Sequence, residues 1–531
     1  MTEPQPFRVV IADPVAEEGI AALHEFAQVD DASDLPPEQL AARLAEADAL
    51  VVRSRTQVDA ALLESAPRLR IVARAGVGVD NIDVGAATRR GIVVVNSPGG
   101  NTVAAAEHTL AMLLAMSRNI PFAMEALRHG EWSPADFVGV EVFAKTLGVV
   151  GYGRVGREVV RRALALGMRV LVADAHVGPL AIRDGGAEPV TLDELLAEAD
   201  YLTLHTPLLP ETAHLIDAGA FSQMKNGVRL VNCARGGVVD EQALVAALQS
   251  GKVAAAAIDV WEQEPPPADH PLLRHPHVVT TPHLGASTAE AQRAVARDIA
   301  RQIRAVAEGV PPANAVNLPA ISADEYDRVL PFMRLGEKMG RLAAALVDAP
   351  IDEVNVSYSG DVLALDVRPI SRAVLKGLLQ PRLAQPVNAV NAPVIAAERG
   401  ILVTESKIAA GDDYLSYATV EVKAGDQTRR VGGTVLGRGE LRIRMIDHFR
   451  IDLAPEGSML LVRHQDRPGV IGLVGTMLGN AQINIAGMHV GRAAEGAEAV
   501  MVLTVDAAIP EPLIAAIATA IDARSAHFVG L

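Results

Sequence analysis

The chain has 531 residues, half of them hydrophobic, and a formal net charge of -16. So long a chain exceeds a single hydrophobic core and predicts three or four domains. The negative charge argues against nucleic-acid or membrane partners, because both would repel such a surface. The first residues contain no basic cluster followed by an apolar run, so we expect no secretory signal. The one cysteine, Cys233, excludes an intrachain disulfide and fits a reducing cytoplasm, where we expect the protein to act.

Short β-branched runs alternate with Ala/Leu/Glu-rich stretches over the first hundred residues. They predict strands at residues 7–12, 49–52 and 71–73 and a helix at 37–47. This rhythm predicts a parallel sheet flanked by helices. Turn residues at 96–101 then precede a long helical segment, a pattern typical of an interdomain hinge.

A second α/β unit follows the hinge. Ser287, three positions ahead of Glu290, marks the start of a helix that reaches to about residue 308. This helix is long enough to return across the hinge. We therefore predict that it packs on the first domain, which would make that domain discontinuous in sequence.

A glycine-rich turn follows a predicted strand of the second unit. Gly151, Gly153 and Gly156 have G-x-G-x-x-G spacing and open a predicted helix at 157–166, and the next predicted strand ends in Asp174. The glycines let the backbone approach a pyrophosphate at a helix N-terminus, and the carboxylate can bond the ribose hydroxyls. A carboxylate also repels the 2′-phosphate of NADP, so the pattern favours NAD, although the nearby His176 weakens that preference.

Three later segments each place a candidate catalytic residue just after a predicted strand. Because ligands bind at the carboxyl ends of parallel strands, Arg235, Glu264 and His283 should converge on the cofactor crevice. Oxidation of a 2-hydroxy acid moves hydride from C2 while the hydroxyl loses a proton, and His283 suits the base. Glu264 would fix its tautomer, and the Arg235 guanidinium would bind the substrate carboxylate and polarise the forming ketone.

In chain order, these motifs resemble the D-isomer-specific 2-hydroxyacid dehydrogenases, and within them the long-form phosphoglycerate dehydrogenases. The residues that carry the resemblance are 151–156, Asp174, 205–208, 232–237, 264–266 and 282–285, and, for the narrower likeness, 76–83, 97–102 and 284–288. The resemblance implies the catalytic roles just argued for the Arg, Glu and His. It also implies cofactor contacts by Arg154, Val155, Thr206, Cys233, Ala234, Asp259 and Gly285.

A phosphorylated substrate requires a cationic pocket in the first domain. Arg53 and Arg74 both follow predicted strands, and arginine forks suit phosphate oxygens. Gly76, in a glycine loop, and Asn101, in the hinge, complete the predicted substrate site. The resemblance implies oxidation of D-3-phosphoglycerate to 3-phosphohydroxypyruvate, the first step of L-serine biosynthesis. Two alternatives stay open, a glyoxylate or hydroxypyruvate reductase and a non-catalytic NAD sensor that resembles the corepressors built on this fold.

The C-terminal third contains no recognisable catalytic constellation. Residues 318–450 are β-rich and resemble the intervening domain of the same long-form enzymes, which implies assembly into a tetramer. The last segment predicts a β-α-β-β-α-β, ferredoxin-like order. Residues 464–469 and 482–485 resemble an ACT domain, a module that binds amino acids between paired copies. Asp466 and Asn484 would then bind L-serine as effector, and a dimerisation unit without ligand is the alternative.

The complete prediction is an α/β protein. A Rossmann-type NAD domain is inserted in a discontinuous flavodoxin-like substrate domain, and an α+β intervening domain and a ferredoxin-like ACT domain follow. The predicted boundaries are 1–98 with 287–314, then 99–286, 315–452 and 457–531. We expect a homo-oligomer, dimer or tetramer, with no bound metal.

Overall fold

The computed structural model describes residues 6–408, 415–437, 439–492 and 497–531. Its α-helices, in chain order, are α1 (Glu17–His24), α2 (Pro37–Leu44), α3 (Ala60–Glu64), α4 (Val84–Arg89), α5 (Thr102–Ser117), α6 (Ile120–Arg128), α7 (Arg154–Ala165), α8 (Pro179–Asp184), α9 (Leu192–Glu198), α10 (Ala218–Gln223), α11 (Glu241–Gln249), α12 (Ala289–Ala307), α13 (Ala323–Ala345), α14 (Arg368–Leu379), α15 (Ala392–Glu398), α16 (Val470–Asn480) and α17 (Glu511–Ala520). Short 3-10 helices lie at Pro134–Phe137, Gly236–Val238, Pro271–Arg274, Asp361–Ala364 and Gln380–Arg382. None of the described helices is both long and apolar enough to cross a bilayer.

The first sheet is parallel and has the flavodoxin-like strand order 2-1-3-4-5. Its strands are β1 (Arg8–Ile11), β2 (Gln28–Asp31), β3 (Ala49–Val52), β4 (Ile71–Arg74) and β5 (Val93–Val95). Helix α12 packs on this sheet beside α1 through Val295, Ile299 and Ile303. Its N-cap is Thr288, whose hydroxyl accepts from the Ala291 amide at 3.2 Å, so the start indicated by Ser287 was wrong by one residue.

The second sheet is parallel as well, and its strand order reverses beside β6. The strands are β6 (Thr146–Val150), β7 (Arg169–Ala173), β8 (Glu188–Pro189), β9 (Tyr201–Leu204), β10 (Val228–Asn232), β11 (Val253–Ile258) and β12 (Val278–Thr280), in the order β12-β11-β10-β9-β6-β7-β8. This is the Rossmann arrangement, in which the reversal opens a crevice at the carboxyl ends of β6 and β9.

The third sheet is mixed and is covered by α13 and α14. Its strands are β13 (Glu353–Gly360), β14 (Leu402–Ile408), β15 (Ser416–Ala424), β16 (Gln427–Leu436), β17 (Glu440–Ile446) and β18 (Phe449–Leu453), in the order β14-β13-β15-β16-β17-β18. A Cβ on Gly340 or Gly377 would overlap a carbonyl oxygen of the facing helix, so these glycines let α13 and α14 pack closely.

The fourth sheet is antiparallel, with α16 and α17 packed on it. Its strands are β19 (Ser458–Gln465), β20 (Ile485–Arg492), β21 (Glu498–Val505) and β22 (Ser525–Gly530), in the order β20-β21-β19-β22. The predicted ferredoxin-like order of elements is thereby confirmed.

Candidate active site

The glycine turn after β6 leaves an open space at the start of α7. Gly151 has a φ of 96°, and a Cβ on it would lie 2.5 Å from the carbonyl oxygen of His205. A Cβ on Gly156 would overlap the Gly151 carbonyl, whereas nothing lies within 4 Å of the Cβ position of Gly153. Helix α7 begins at Arg154, three residues earlier than the sequence indicated, so its N-terminus faces this space. The turn therefore fits a pyrophosphate.

Asp174 directly follows β7, and hydrogen bonds hold its carboxylate in the ionised form. Its carboxylate accepts three backbone N–H bonds, from Tyr152 at 2.6 Å, His176 at 2.7 Å and Val177 at 2.9 Å. Burial opposes ionisation, but these bonds outweigh it and hold the pKa of Asp174 below its ordinary value. A negative charge is thus held beside the glycine turn.

Two cavities lie near the carboxyl ends of β6 and β7. One, of about 520 Å³, lies beside Asp174 and is lined by side chains that include Val177, Pro179, Ile182 and Pro189. These apolar residues could not be recognised from the sequence, because they are spread over several segments and carry no chemical signal. The other, of about 310 Å³, brings predicted residues together: Asn101, Gly153, Arg154, Val155, Thr206, Cys233, Ala234, Arg235, His283 and Gly285.

Buried polar atoms without partners face this region. Asn101 Oδ1, Thr206 Oγ1 and Arg74 Nε are buried and have no hydrogen-bond partner among the described residues. Because such groups are nearly always paired in folded proteins, they indicate positions where a ligand completes the bonding.

Asp259 is fully buried and holds the turn that carries His283. Its Oδ1 accepts from the Leu284 amide at 2.7 Å and the Thr281 hydroxyl at 2.5 Å, and its Oδ2 accepts from the Gly285 amide at 2.9 Å. The His283 amide donates to the Asp259 carbonyl at 2.8 Å. These bonds maintain His283 at a φ of 57°, a left-handed conformation that is uncommon for a non-glycine residue.

The ligand atoms of His108, Cys233 and Asp259 lie within 4.8 Å of one another. Burial, and then the charge of Asp259, raise the pKa of the Cys233 thiol far above its ordinary value. His108 Nε2 lies 3.2 Å from Asp259 Oδ1, and the Asp259 carboxylate already accepts hydrogen bonds from Thr281 and two main-chain amides. Of the three residues, Cys233 lines the cleft.

His283 and Glu264 form the predicted imidazole–carboxylate pair. His283 Nδ1 lies 2.8 Å from Glu264 Oε2, and Glu264 Oε1 accepts from the Trp261 amide at 3.2 Å. Burial opposes ionisation of Glu264, but the bond and charge of His283 and the Trp261 amide hold its pKa below the ordinary value. An ionised carboxylate only accepts, so the proton lies on Nδ1 and Nε2 faces the cleft as an acceptor.

Arg235 is oriented from the opposite side of the cleft. Its Nε donates to Asp80 Oδ2 at 2.9 Å, and another guanidinium nitrogen donates to the Ala234 carbonyl at 2.6 Å. Asp80 belongs to the first α/β unit, and a Cβ on Gly78 would overlap the Arg235 guanidinium. Asp80 was not predicted as a site residue from the sequence, where its only signal is its place in the glycine loop.

Arg74 lies in a concentration of positive charge. Burial, followed by repulsion from Arg235 and Arg53, lowers the pKa of Arg74 to about 10, whereas Asp80 and Asp13 partly offset this repulsion. A Cβ on Gly76 would overlap the Arg74 guanidinium, so only glycine leaves room for it there. Arg53 and Gly76 line a small cavity of about 30 Å³ at the same edge of the first sheet. The region around Arg74 therefore carries an excess of positive charge.

Comparisons with known proteins agree with this geometry. The family models for the NAD-binding domain of D-isomer specific 2-hydroxyacid dehydrogenases, the D-3-phosphoglycerate dehydrogenase intervening domain and the ACT domain match residues 110–285, 328–447 and 458–522. The chain is 44% identical to D-3-phosphoglycerate dehydrogenase of Archaeoglobus fulgidus, over 95% of this chain and 97% of the relative. It is 40% identical to that of Bacillus subtilis, over 99% and 100%.

The chain belongs to the D-3-phosphoglycerate dehydrogenase family. It is an NAD-dependent oxidoreductase with an ACT domain near its C-terminal end. Solved structures of a glyoxylate reductase from Paecilomyes thermophila and of D-lactate dehydrogenase from Aquifex aeolicus with NAD and lactic acid are each 30% identical. The glyoxylate reductase has a TM-score of 0.55, and the match covers 59% of this chain and 99% of that one. The D-lactate dehydrogenase has a TM-score of 0.53, and the match covers 59% of this chain and 100% of that one.

The two predicted effector residues lie at opposite ends of the ACT sheet. Asp466 follows β19 where that strand pairs with the start of β21, whereas Asn484 precedes β20 where that strand pairs with the end of β21. Asp466 faces Arg492 at 3.5 Å, and Asn484 donates to Asp506 at 2.7 Å. One chain therefore does not bring Asp466 and Asn484 together.

The charge of Asp174 should determine cofactor preference. Asp174→Asn is expected to shift the ratio of NADPH to NADH affinity towards NADPH by roughly tenfold, because it removes the repulsion of the 2′-phosphate. Fluorescence titration of both dinucleotides measures this ratio. Asp200→Asn is the matched control, since the Asp200 carboxylate also accepts a backbone N–H, from Thr146 at 2.9 Å, at the other edge of the sheet. An equal change in both variants would contradict the assignment.

Proposed function

We propose that the chain oxidises D-3-phosphoglycerate to 3-phosphohydroxypyruvate with NAD, the first step of L-serine biosynthesis. The observation that carries this proposal is the convergence of Arg53, Arg74 and Arg235 beside the cleft that His283 lines. Their charge matches a substrate with a carboxylate at one end and a phosphate at the other. Relatives of nearly the same length are named for this activity.

His283 acts as the general base of the proposed reaction. Its Nε2 accepts the proton of the C2 hydroxyl as the C2–H bond breaks, while ionised Glu264 keeps the other proton on Nδ1 and stabilises the imidazolium. Bound NAD supplies the acceptor for the hydride. Arg235, tethered by Asp80 through Nε, offers its remaining N–H groups to the substrate carboxylate and the forming ketone.

Arg74 and Arg53 take the phosphate in this proposal. The Arg74 guanidinium has an unpaired Nε and is repelled by its two arginine neighbours, so a dianion relieves both penalties. Gly76 leaves room for the Arg74 guanidinium, and it lines the small cavity that Arg53 also lines. The phosphorylated end of the substrate would thus lie on the first α/β unit and the reacting end at the second.

Reduction of glyoxylate or hydroxypyruvate is the second candidate. The likeness to a solved glyoxylate reductase, which is 30% identical and covers 59% of this chain, favours it. In this case Arg53 and Arg74 would contribute little to catalysis. The two candidates therefore differ in the part that Arg74 plays.

Regulation by L-serine belongs to the proposal. Since Asp466 and Asn484 stand at opposite ends of one sheet, the proposed effector site forms between the ACT domains of two chains, with each chain providing one of the two residues. Such a site requires a homo-oligomer. The single cysteine, which excludes an intrachain disulfide, agrees with the proposed location in the cytoplasm.

A second surface supports a homo-oligomer. Residues 120–143 expose large apolar side chains together: Ile120, Met124, Leu127, Trp132, Val138 and Phe143. Trp132 is 81% exposed, and contiguous apolar surface of this kind marks protein interfaces. We propose that it contacts a second copy of the chain.

Truncation of Arg74 tests the substrate. Arg74→Ala should raise the KM for D-3-phosphoglycerate by roughly a hundredfold and the KM for unphosphorylated D-glycerate less than about threefold, because a charge-assisted phosphate contact is lost. NADH formation measures both, and Arg90→Ala, an exposed arginine of the same unit, is the control. Equal losses on the two acids would favour the reductase. If the wild type turned over no 2-hydroxy acid, the chain would be a sensor.

The apolar surface predicts the state of assembly. Trp132→Asp should reduce the mass measured by sedimentation equilibrium, because a charge at the centre of the surface cannot be buried against a second copy. Leu180→Asp is the control, since Leu180 is 70% exposed elsewhere in the same unit. An unchanged mass for Trp132→Asp would mean that this surface is not an interface.

A further inference from the structure

A pair of carboxylates lies outside the cleft, beneath the loop that carries Glu264. Glu241 is the first residue of α11, and Glu262 lies in the loop after β11. The Glu241 amide donates to Glu262 Oε1 at 3.2 Å, and the Glu262 amide donates to Glu241 Oε1 at 2.9 Å. The two residues thus bind each other reciprocally, through main chain and side chain.

Imidazoles complete the pairing of both carboxylates. His270 Nε2 lies 3.0 Å from Glu241 Oε2, and the two side chains are only 16% and 13% exposed. Because His270 Nδ1 accepts from the Leu272 amide at 3.4 Å, the neutral ring carries its proton on Nε2 and donates it to Glu241. His214 Nε2 approaches Glu262 Oε1 at 3.2 Å. Burial, and then the charge of Glu262, raise the pKa of Glu241.

This network holds the main chain of Trp261 and Glu262, which orients the Glu264 side chain. The His270 ring meets the Trp261 ring edge-on, with centroids 5.5 Å apart, and Trp261 is buried. The Trp261 amide in turn donates to Glu264 Oε1. A Cβ on Gly236 would overlap the Trp261 carbonyl, so the loop is pressed against the residue that follows Arg235. The loop is therefore held from both sides.

We propose that Glu241 and His270 are positioning residues for the His283–Glu264 pair, and that they act through the main chain of Trp261 and Glu262. They touch neither cofactor nor substrate in the proposed mechanism. Their effect is to keep Glu264 within hydrogen-bond distance of Nδ1, and misplacement of a catalytic group by about 1 Å costs on the order of a hundredfold in rate. This inference rests on the proposed function of His283 as base.

The test begins with Glu241→Ala in the full-length chain. It removes both bonds of the Glu241 carboxylate, and we expect kcat for D-3-phosphoglycerate oxidation to fall by roughly tenfold to a hundredfold, with KM for acid and NAD within about twofold. The acid limb of the kcat/KM profile should move to lower pH, because the imidazolium loses its carboxylate. Glu325→Ala is the control, since Glu325 also accepts an amide N–H near a helix start, from Asp366 at 3.0 Å, lies outside both α/β units and should change neither quantity.

A double-mutant cycle separates positioning from general loss of structure. In a Glu264→Gln background, Glu241→Ala should lower kcat less than about twofold further, because the pair that it positions is already broken. A multiplicative loss would overturn the proposal, as would a wild-type kcat and pH profile for Glu241→Ala alone.

A second variant covers the case in which Glu241→Ala does not fold. His270→Phe keeps a ring against Trp261 but lacks the N–H donor, so it should lower kcat and move the acid limb in the same direction, with NADH affinity unchanged. A wild-type profile for His270→Phe would overturn the proposal for His270. Failure of the proposed function is a separate result, because it would appear as absence of turnover in the wild type.

Discussion

The hydrogen bond between His283 Nδ1 and Glu264 is the interaction on which the active site depends. It determines which imidazole nitrogen is free to accept a proton, and it places a negative charge where the imidazolium forms. A buried carboxylate and a partly buried one support it from different sides. Asp259 holds the turn of His283, and Glu241 binds the loop of Glu264. Both supports are short-range contacts to main-chain amides, which resist displacement better than contacts between flexible side chains.

Charge explains how, in the proposed function, the two α/β units would share one substrate. Arg53 and Arg74 come from the first unit and Arg235 from the second, and their mutual repulsion is only partly offset by Asp80. A ligand with two anionic groups neutralises this excess and binds both units at once. Gly76 and Gly78 contribute to this arrangement, because their lack of side chains leaves room for the guanidinium groups of Arg74 and Arg235.

The features that the sequence predicted best depend on local pattern. Buried β-branched runs indicated the strands, and three glycines with an acidic residue after the next strand indicated the NAD site. Both signals come from residues that are close together in the chain. Asp80 and Glu241 escaped notice because their partners lie 155 and 21 residues away. The predicted start of α7 was three residues too late. Arg154 and Val155 lie within the glycine motif, so the sequence alone suggested that they belong to the turn. The relation of Asp466 to Asn484 depends on sheet register, which motifs do not reveal.

The pH dependence of kcat/KM for D-3-phosphoglycerate, compared between the wild type and Glu264→Gln, tests the imidazole–carboxylate pair most directly. Since His283 and Trp261 hold the pKa of Glu264 below its ordinary value, the carboxylate stays ionised where the base works. The account predicts that the substitution lowers kcat/KM and moves the acid limb to lower pH, because the imidazolium loses the opposite charge beside it. An acid limb at the wild-type pH would contradict the account.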